Sequence, residues 1–472
     1  MVTRRSFIRS AASAALGFSG LRHLLEADNL ASAAEGESAR VYGELKVDPF
    51  GVLDLPEGFS YRAISKVGER MDDGLYVPAL HDGMGAFAGP GGSTILIRNH
   101  EVSSTEPRLG AFGWSNELLQ RTDDADFYDR GHGNRPLLGG TTTLVYDTRA
   151  RRLEKQFLSL AGTARNCSGG PTPWNSWISC EEYTPRPDAT HRRDHGYNFE
   201  VPATTRPGLA EPVPLRAMGR FTHEAVAVDP RTGMVYQTED LDDGLIYRFV
   251  PKRPGRLAEG GRLEVLAVRD RPSLDTRNWL DEQGAPQHPR VQIGRAMATS
   301  WLPIDDVESP NDDLRHRGFA LGAARFARSE GMWYSRNAIY FACTNGGAAR
   351  LGQIWRYRPS PDVAGQNSQS RPGHLELFIE STDKAILQSA DNLTAAPWGD
   401  LFVCEDGPDE NHVLQVTTTG RILKFASNRL TNDEFAGATF SLDGTTLFVN
   451  IQRMGVTICV TGPWRTAKGH TR

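Results

Sequence analysis

The chain has 472 residues, of which 39% are hydrophobic and 24% are charged, a composition typical of a globular protein with a large core. The formal net charge is −5, from 53 basic and 58 acidic residues, and the chain contains no basic block. This balance excludes the usual nucleic-acid-binding proteins, because those concentrate positive charge along the phosphate backbone.

The N-terminal residues form a candidate export signal. Arg4 and Arg5 precede a weakly apolar stretch over residues 11–21 that is too short to cross a bilayer. Paired arginines before such a stretch are typical of the twin-arginine route. We predict a twin-arginine signal over residues 1–34, read by the translocation machinery, and one catalytic β-propeller domain over residues 35–472. The mature protein is then expected to be a periplasmic or secreted monomer without a membrane anchor.

The remainder of the chain has the pattern of an all-β protein. Short runs rich in Val, Ile, Tyr, Phe and Thr alternate with Gly, Pro, Asp and Asn, and no helical period is sustained. A unit of two strands and a tight turn recurs at residues 82–101, 166–183, 222–240, 328–345, 391–407 and 435–452. Repeated sheets around an axis predict a six-bladed β-propeller, with loop insertions capping one face. A β-sandwich is the alternative, but it does not predict polar residues at fixed points of a repeat.

Polar residues recur at the two ends of these units. In an antiparallel hairpin, the start of the first strand and the end of the second lie at the same edge, which in a propeller is the rim of the central channel. Candidate site residues at the first strands are Glu224, Arg328, Glu330 and Asp391, and those at the second strands are Glu101, Cys180, Glu181, Asp240 and Asp406. Asp82, Cys167, Glu182, Glu434 and Gln452 have corresponding places. Converging carboxylates repel one another, which predicts bound multivalent cations, although each acid alone could be a turn or cap residue.

Cys180 stands directly before two glutamates. A buried cysteine is usually a small hydrophobic residue, but flanking carboxylates favour a metal thiolate, since a cation stabilises the deprotonated sulfur. Cys404 has a similar setting, although it also continues an apolar strand. Mixed oxygen and sulfur donors favour iron over zinc, with calcium at the carboxylate-only positions.

Arg328 lies beside Glu330 at the predicted rim. It is either one partner of a salt bridge or an anion clamp, since a planar guanidinium matches phosphate oxygens. An arginine next to metals suits phosphoester hydrolysis. The chain has no nucleophile elbow, P-loop or zincin motif.

Several segments resemble the PhoX-type alkaline phosphatases over nearly the whole mature chain. These segments are CSGGPTPWNSWISCEE, RFTHEAVAVDP, FARSEG and DNLTAAPWGDLFVCEDG. The resemblance implies a periplasmic phosphomonoesterase for small phosphoesters, with a six-bladed propeller and an oxo-bridged cofactor of Fe(3+) with Ca(2+). It further implies that Cys180 is the thiolate ligand of iron, that Glu330, Glu224 and Asp391 bind metal, and that Arg328 holds the substrate phosphate.

Two other functions fit the same repeat. A calcium-dependent lactonase-like hydrolase needs carboxylate, Asn and His ligands but no thiolate or arginine clamp. A non-catalytic binding propeller predicts an exposed aromatic patch in place of buried acids.

Overall fold

The computed structural model describes residues 42–103, 110–362 and 371–465, so the predicted export signal lies outside the described part of the chain. Within these ranges the one α-helix, α1, is Leu314–Leu321. No helix there has the length and apolar character needed to cross a lipid bilayer. Short 3₁₀ turns lie at Pro90–Gly92, Leu119–Arg121, Asp124–Asp126, Arg216–Met218 and Leu257–Glu259.

Strands dominate the described residues. The first fourteen are β1 (Leu45–Lys46), β2 (Leu53–Pro56), β3 (Ser60–Lys66), β4 (His81–Ala88), β5 (Thr94–His100), β6 (Gly139–Asp147), β7 (Arg152–Thr163), β8 (Asn166–Pro171), β9 (Ser176–Glu181), β10 (Asn198–Pro202), β11 (His223–Val228), β12 (Val235–Glu239), β13 (Gly244–Pro251) and β14 (Gly261–Val268). The others are β15 (Met297–Pro303), β16 (Arg325–Phe326), β17 (Ser329–Ser335), β18 (Ala338–Cys343), β19 (Gln353–Arg358), β20 (His374–Glu380), β21 (Ala390–Ala395), β22 (Leu401–Glu405), β23 (His412–Val416), β24 (Ile422–Asn428), β25 (Phe435–Phe440), β26 (Thr446–Ile451) and β27 (Val456–Thr461).

The inner hairpins follow from local sequence. Between β11 and β12, the Asp229 carboxylate accepts a hydrogen bond from the Arg231 backbone N–H at 2.9 Å, and Gly233 has a positive φ of 70°. Asp at the start and Gly near the end are what such a tight turn requires. The strands on either side are buried along their whole length, as their runs of Val, Ala and Tyr suggest.

Six inner strands contact one another in a closed ring: β4, β8, β11, β17, β21 and β25. This confirms the all-β class and the propeller-like arrangement. The prediction of six separate blades is wrong, because the described residues form five sheets. Four are separate, namely β4-β5-β6-β7, β8-β9-β10, β1-β2-β24-β23-β22-β21 and β25-β26-β27-β3, and the fifth has ten strands.

The ten-stranded sheet contains two of the inner hairpins. Its two parts meet where β15 pairs with β20, with Met297 opposite Leu375 and Ala298 opposite His374. Strand β15 also pairs with β14, so it joins two neighbouring units into one sheet. It lies in the insertion over residues 251–327, outside the repeat, and the repeat therefore could not predict this pairing.

The two ends of the described chain close the ring together. Strand β3 pairs along the whole of β27, from Ser60 opposite Thr461 to Lys66 opposite Val456. An aromatic cluster secures this closure: the Phe59 and Trp464 ring centroids are 4.7 Å apart, and those of Phe59 and Phe425 are 5.2 Å apart. Edge-to-face aromatic packing of this kind adds to the stability gained by burial.

Candidate active site

Each of the six inner strands has a β-bulge close to its start. The pairing with the second strand of the hairpin shifts between His81 and Met84, Asn166 and Gly169, His223 and Val226, Ser329 and Met332, Ala390 and Leu393, and Ala436 and Thr439. A bulge re-aims a side chain and bends the strand. The first bulged residues are Asp82, Cys167, Glu224, Glu330, Asp391 and Gly437. Six equivalent backbone positions thus supply four carboxylates, one thiol and one glycine.

The inner strands come very close together at these bulges. Gly437 has a φ of 60°, and a Cβ added there would lie 2.3 Å from the Asp82 carbonyl oxygen. A Cβ on Gly331 would lie 2.6 Å from the Leu393 backbone nitrogen. Only glycine fits at these points, and its absence of a side chain lets the bulged residues gather around one small cavity.

That cavity, the mouth cavity, has a volume of about 190 Å³. Four residues of the cavity wall directly follow the second strand of a hairpin: Glu101, Glu182, Asp240 and Asp406. Its acidic lining residues are Asp82, Glu101, Glu182, Glu224, Asp240, Glu330, Asp391, Asp406 and Glu434, accompanied by Cys167 and by the arginines Arg165, Arg328 and Arg453. Nine carboxylates facing three guanidinium groups leave a strong excess of negative charge.

Three groups of these residues have the proximity that a metal ion requires. The ligand atoms within each group all lie within 4.8 Å of one another. The groups are Cys167-Glu182-Glu224, Glu224-Glu330-Asp391 and Asp391-Asp406-Glu434. Because Glu224 and Asp391 each belong to two groups, the three possible sites form one continuous row.

The pKa values of the acids in this row are strongly shifted. Burial, followed by the charges of Glu182 and Asp391, raises the pKa of Glu224 well above its ordinary value. Burial and then the Asp240 carboxylate raise the pKa of Glu330 well above its usual range. The pKa of Asp391 is raised to about 6 by burial and by Asp406. Buried acids that destabilise one another's charge fit a site for cations, which would remove the repulsion.

Cys167 shares this environment. Its thiol, which is nearly buried, donates to the His223 carbonyl oxygen with an Sγ···O distance of 3.3 Å. Burial and then Glu224 raise the pKa of Cys167 well above its ordinary value. A thiolate in this position therefore needs a bound cation, and a thiol among carboxylates is the donor set that the metal hypothesis requires.

Arg328 is held over the mouth cavity by two acids. Its Nε and Nη2 donate to the two carboxylate oxygens of Asp240 at 2.9 and 2.8 Å, and Nη2 also donates to Glu330 at 2.9 Å. The side chain is 41% exposed. Within the described residues Nη1 makes no hydrogen bond, so this nitrogen is able to donate to an anion.

Seven of the nine predicted site residues line the mouth cavity. They are Glu101, Glu224, Asp240, Arg328, Glu330, Asp391 and Asp406. Two of these acids lie outside the three metal-sized groups. Asp240 is engaged with Arg328, and Glu101 accepts hydrogen bonds from Arg165 at 2.5 Å and from Gln452 at 2.8 Å. Their placement favours a role in orienting arginines over one as metal ligands.

Cys180 and Glu181 are the two predicted residues that do not reach the mouth cavity. Strand β9 remains regular through Glu181, and Cys180 points into an apolar cluster with Ile178, Leu215 and Phe221. Glu181 is completely buried, with its carboxylate accepting hydrogen bonds from the His195 ring at 2.7 Å and from the Gly196 backbone at 2.8 Å. In this strand the residue that lines the mouth cavity is Glu182, directly after Glu181.

Four further residues of the mouth cavity were expected at the rim but not chosen as candidate site residues: Cys167, Glu182, Asp82 and Glu434. The repeat contains a signal for Cys167. When the starts of β8, β11, β17 and β21 are aligned, as NCSG, HEAV, SEGM and ADNL, Cys167 takes the same second position as Glu224, Glu330 and Asp391. Glu182 follows its strand as Asp240 and Asp406 follow theirs.

Comparisons with known proteins identify a family and two similar structures. The sequence profile of the family described as Alkaline phosphatase PhoX matches residues 40–455 of the chain. No curated protein sequence matches it. Among solved structures, Pseudomonas fluorescens PhoX in complex with vanadate, a transition state analogue, is similar at 18% identity and a TM-score of 0.63, covering 89% of this chain and 97% of that one. A gluconolactonase from Xanthomonas campestris is similar at 12% identity and a TM-score of 0.37, covering 85% of this chain and 98% of that one.

Proposed function

Since this chain belongs to the alkaline phosphatase PhoX family and is a phosphoric monoester hydrolase, we propose that the mouth cavity is its active site and that metal ions bind there. Family membership favours this function over the lactonase and binding-propeller alternatives. The observation that supports the location is that the row of three metal-sized groups and Arg328 line the same cavity.

The donor types suggest which metals bind. We assign iron to the group of Cys167, Glu182 and Glu224, because it combines a thiolate with carboxylates. The group of Asp391, Asp406 and Glu434 offers oxygen donors alone, which suits calcium. When bound, such ions would neutralise phosphoryl oxygens and lower the pKa of an attacking water.

Arg328 holds the phosphoryl group in this proposal. Asp240 fixes the plane of its guanidinium through two hydrogen bonds, which leaves Nη1 to donate to a non-bridging phosphate oxygen. A planar fork already fixed by the protein loses little freedom when an anion arrives, so it stabilises negative charge efficiently. The buried row of acids below it keeps a substrate from entering without metals, because a phosphate dianion would be repelled.

Inhibition by vanadate tests the location of the site. Vanadate should inhibit hydrolysis of p-nitrophenyl phosphate competitively, with the inhibition constant increasing about tenfold or more in Arg328→Gln. Arg358→Gln is the matched control, because Arg358 is a half-exposed arginine that pairs with Glu376 away from the mouth cavity. Equal inhibition of both variants would remove Arg328 from the phosphate site.

The metals need a separate test. Treatment with a chelator should abolish hydrolysis, and iron together with calcium should restore it. Recovery with zinc or magnesium alone would contradict the assignment of iron and calcium.

Export of the folded, metal-loaded protein by the twin-arginine route is part of the proposal. It is supported by the Arg4-Arg5 pair in the sequence and by the proposed metal site, which would be filled after folding and before export. Replacing both arginines by lysine should leave an active enzyme in the cytoplasm, and unchanged export would contradict the twin-arginine route.

A further inference from the structure

A second cleft opens beside the mouth cavity. It has a volume of about 620 Å³ and shares Asp406, Glu434 and Arg453 with the mouth cavity. Its walls come from the loops that follow β22, β24 and β26. A cleft of this size, continuous with a catalytic cavity, is large enough for a small organic group.

The walls of this cleft are fixed by hydrogen bonds between its loops. The Asn411 amide donates to the Asn432 carbonyl oxygen at 3.1 Å and to the Gly407 carbonyl oxygen at 3.0 Å. The Asp433 carboxylate accepts hydrogen bonds from the backbone N–H groups of Arg453 at 2.6 Å and Met454 at 3.1 Å. The cleft is therefore preformed, and no loop has to fold when a ligand enters.

Arg453 differs from the other two arginines of the mouth cavity. Arg165 and Arg328 each pair with two carboxylates at distances of 2.9 Å or less. Among the residues that the structure describes, Arg453 has one ion pair, with Asp433 at 3.7 Å, and its side chain is 79% exposed. Among the three, its guanidinium is the most available to an incoming anion.

The charge balance of the cleft also depends on Arg453. Asp406, Asp433 and Glu434 line the cleft, and Arg453 is its one basic residue within the described part of the chain. Without that guanidinium an anionic group would meet three carboxylates and be repelled. Pro408 and Met454 supply an apolar wall that would accept an uncharged organic group equally well with or without Arg453.

We propose that this cleft receives the alcohol part of the phosphoester and that Arg453 sets the preference for alcohols carrying a negative charge near the ester bond. This inference rests on the proposed function, since it requires the phosphoryl group to lie in the mouth cavity. The substrate class is a phosphomonoester whose leaving group bears a carboxylate or a second phosphate. Arg453 is a specificity residue, separate from Arg328, which holds the phosphoryl group that is transferred.

Two substrates of similar size test the proposal. The leaving group of 3-phosphoglycerate carries a carboxylate, whereas that of glycerol 3-phosphate is neutral. In Arg453→Gln, kcat/KM for 3-phosphoglycerate should fall about fivefold more than kcat/KM for glycerol 3-phosphate, the effect of one exposed charge pair. Arg453→Lys should retain most of the preference. The difference between the substrates should shrink as salt is raised, because exposed charges are screened.

Arg358→Gln should leave the ratio of the two kcat/KM values unchanged. Equal losses on both substrates in Arg453→Gln, or no loss on either, would overturn the role of Arg453 while leaving the phosphatase intact. If the metal-loaded wild-type protein hydrolysed neither substrate, nor p-nitrophenyl phosphate, the proposed function would be wrong and this inference would fail with it.

Discussion

Arg328 and Asp240 form a bidentate pair at the channel mouth, with N···O distances of 2.9 and 2.8 Å. Arg328 has a positive φ of 47°, an uncommon conformation for a residue with a side chain. Its backbone N–H donates to the Leu241 carbonyl oxygen, and its own carbonyl oxygen accepts from the Thr344 N–H, both at 2.9 Å. Backbone and side chain are thus fixed together, which is how a strained residue at a functional site is maintained.

Arg328→Lys should lower kcat/KM for p-nitrophenyl phosphate about 100-fold. Lysine keeps the charge but loses the planar fork that fits both Asp240 and phosphate oxygens, and one lost donor to a developing charge has an effect of this size. Steady-state kinetics would measure the change, with Arg358→Lys as the control. Activity equal to wild type would show that charge alone matters at this position.

Asp240→Asn should reduce activity about tenfold without reducing bound metal. The amide loses one of the two acceptors that orient Arg328. A misplaced guanidinium lowers the reaction rate even when the other groups of the site are intact. Metal content by elemental analysis and kinetics on the same preparation give both quantities. Loss of metal in this variant would make Asp240 a metal ligand, as the sequence alone suggested.

Glu181→Gln and Glu182→Gln should have opposite effects, although the two residues are neighbours. Glu181→Gln should keep the metals but destabilise the fold by about 3 kcal/mol, since it removes a carboxylate from the buried His195. Glu182→Gln should lose metal, and the metal-free protein should be no less stable than wild type because repulsion decreases. Thermal unfolding and elemental analysis separate these outcomes; metal loss from Glu181→Gln would refute the placement of the mouth.

His195 should make stability depend on pH. Burial alone would lower the pKa of His195, but the Glu181 and Asp129 carboxylates on either side raise it to about 9. The folded state then holds a proton more tightly than the unfolded chain, whose histidine pKa is about 6.5. The stabilisation is complete below pH 6.5 or so and is lost as pH rises through about 9.

The measurement is the free energy of unfolding at several pH values across this window. Wild type should lose about 3 kcal/mol more than His195→Gln between the two ends, in line with the size of the pKa difference. Parallel pH dependences in the two proteins would show that His195 is not the group responsible.

The sequence predicted much of this site because hairpin geometry is simple. Glu224, Glu330 and Asp391 begin first strands, and Arg328 directly precedes one, so all four were expected at one edge. That reasoning needed only the repeat and the antiparallel connection. The fusion of two units into a ten-stranded sheet could not be predicted in the same way, because β15 belongs to an insertion with no counterpart in the other repeats.

Cys180 and Glu181, which were also expected at the rim from the sequence, do not line the mouth cavity. Side chains alternate between the two faces of a strand. An error of one residue in the predicted end of a strand therefore assigns a side chain to the mouth cavity when it points into the core. Strand β9 ends at Glu181, and Glu182 is the residue that turns to the mouth cavity. The bulge that directs Cys167 inward cannot be recognised from the sequence of one hairpin. It becomes clear when the register shifts of all six inner strands are compared in the structure.

The iron content of two cysteine variants tests the central claim most directly. Both cysteines are buried, but Cys167 lines the mouth cavity whereas Cys180 packs in an apolar cluster, so Cys167→Ala and Cys180→Ala separate a metal ligand from a core residue. Elemental analysis of the purified, folded proteins should show that Cys167→Ala loses iron and phosphatase activity, whereas Cys180→Ala retains both. Iron and activity that survive in Cys167→Ala, or disappear in Cys180→Ala alone, would contradict the metal site described above.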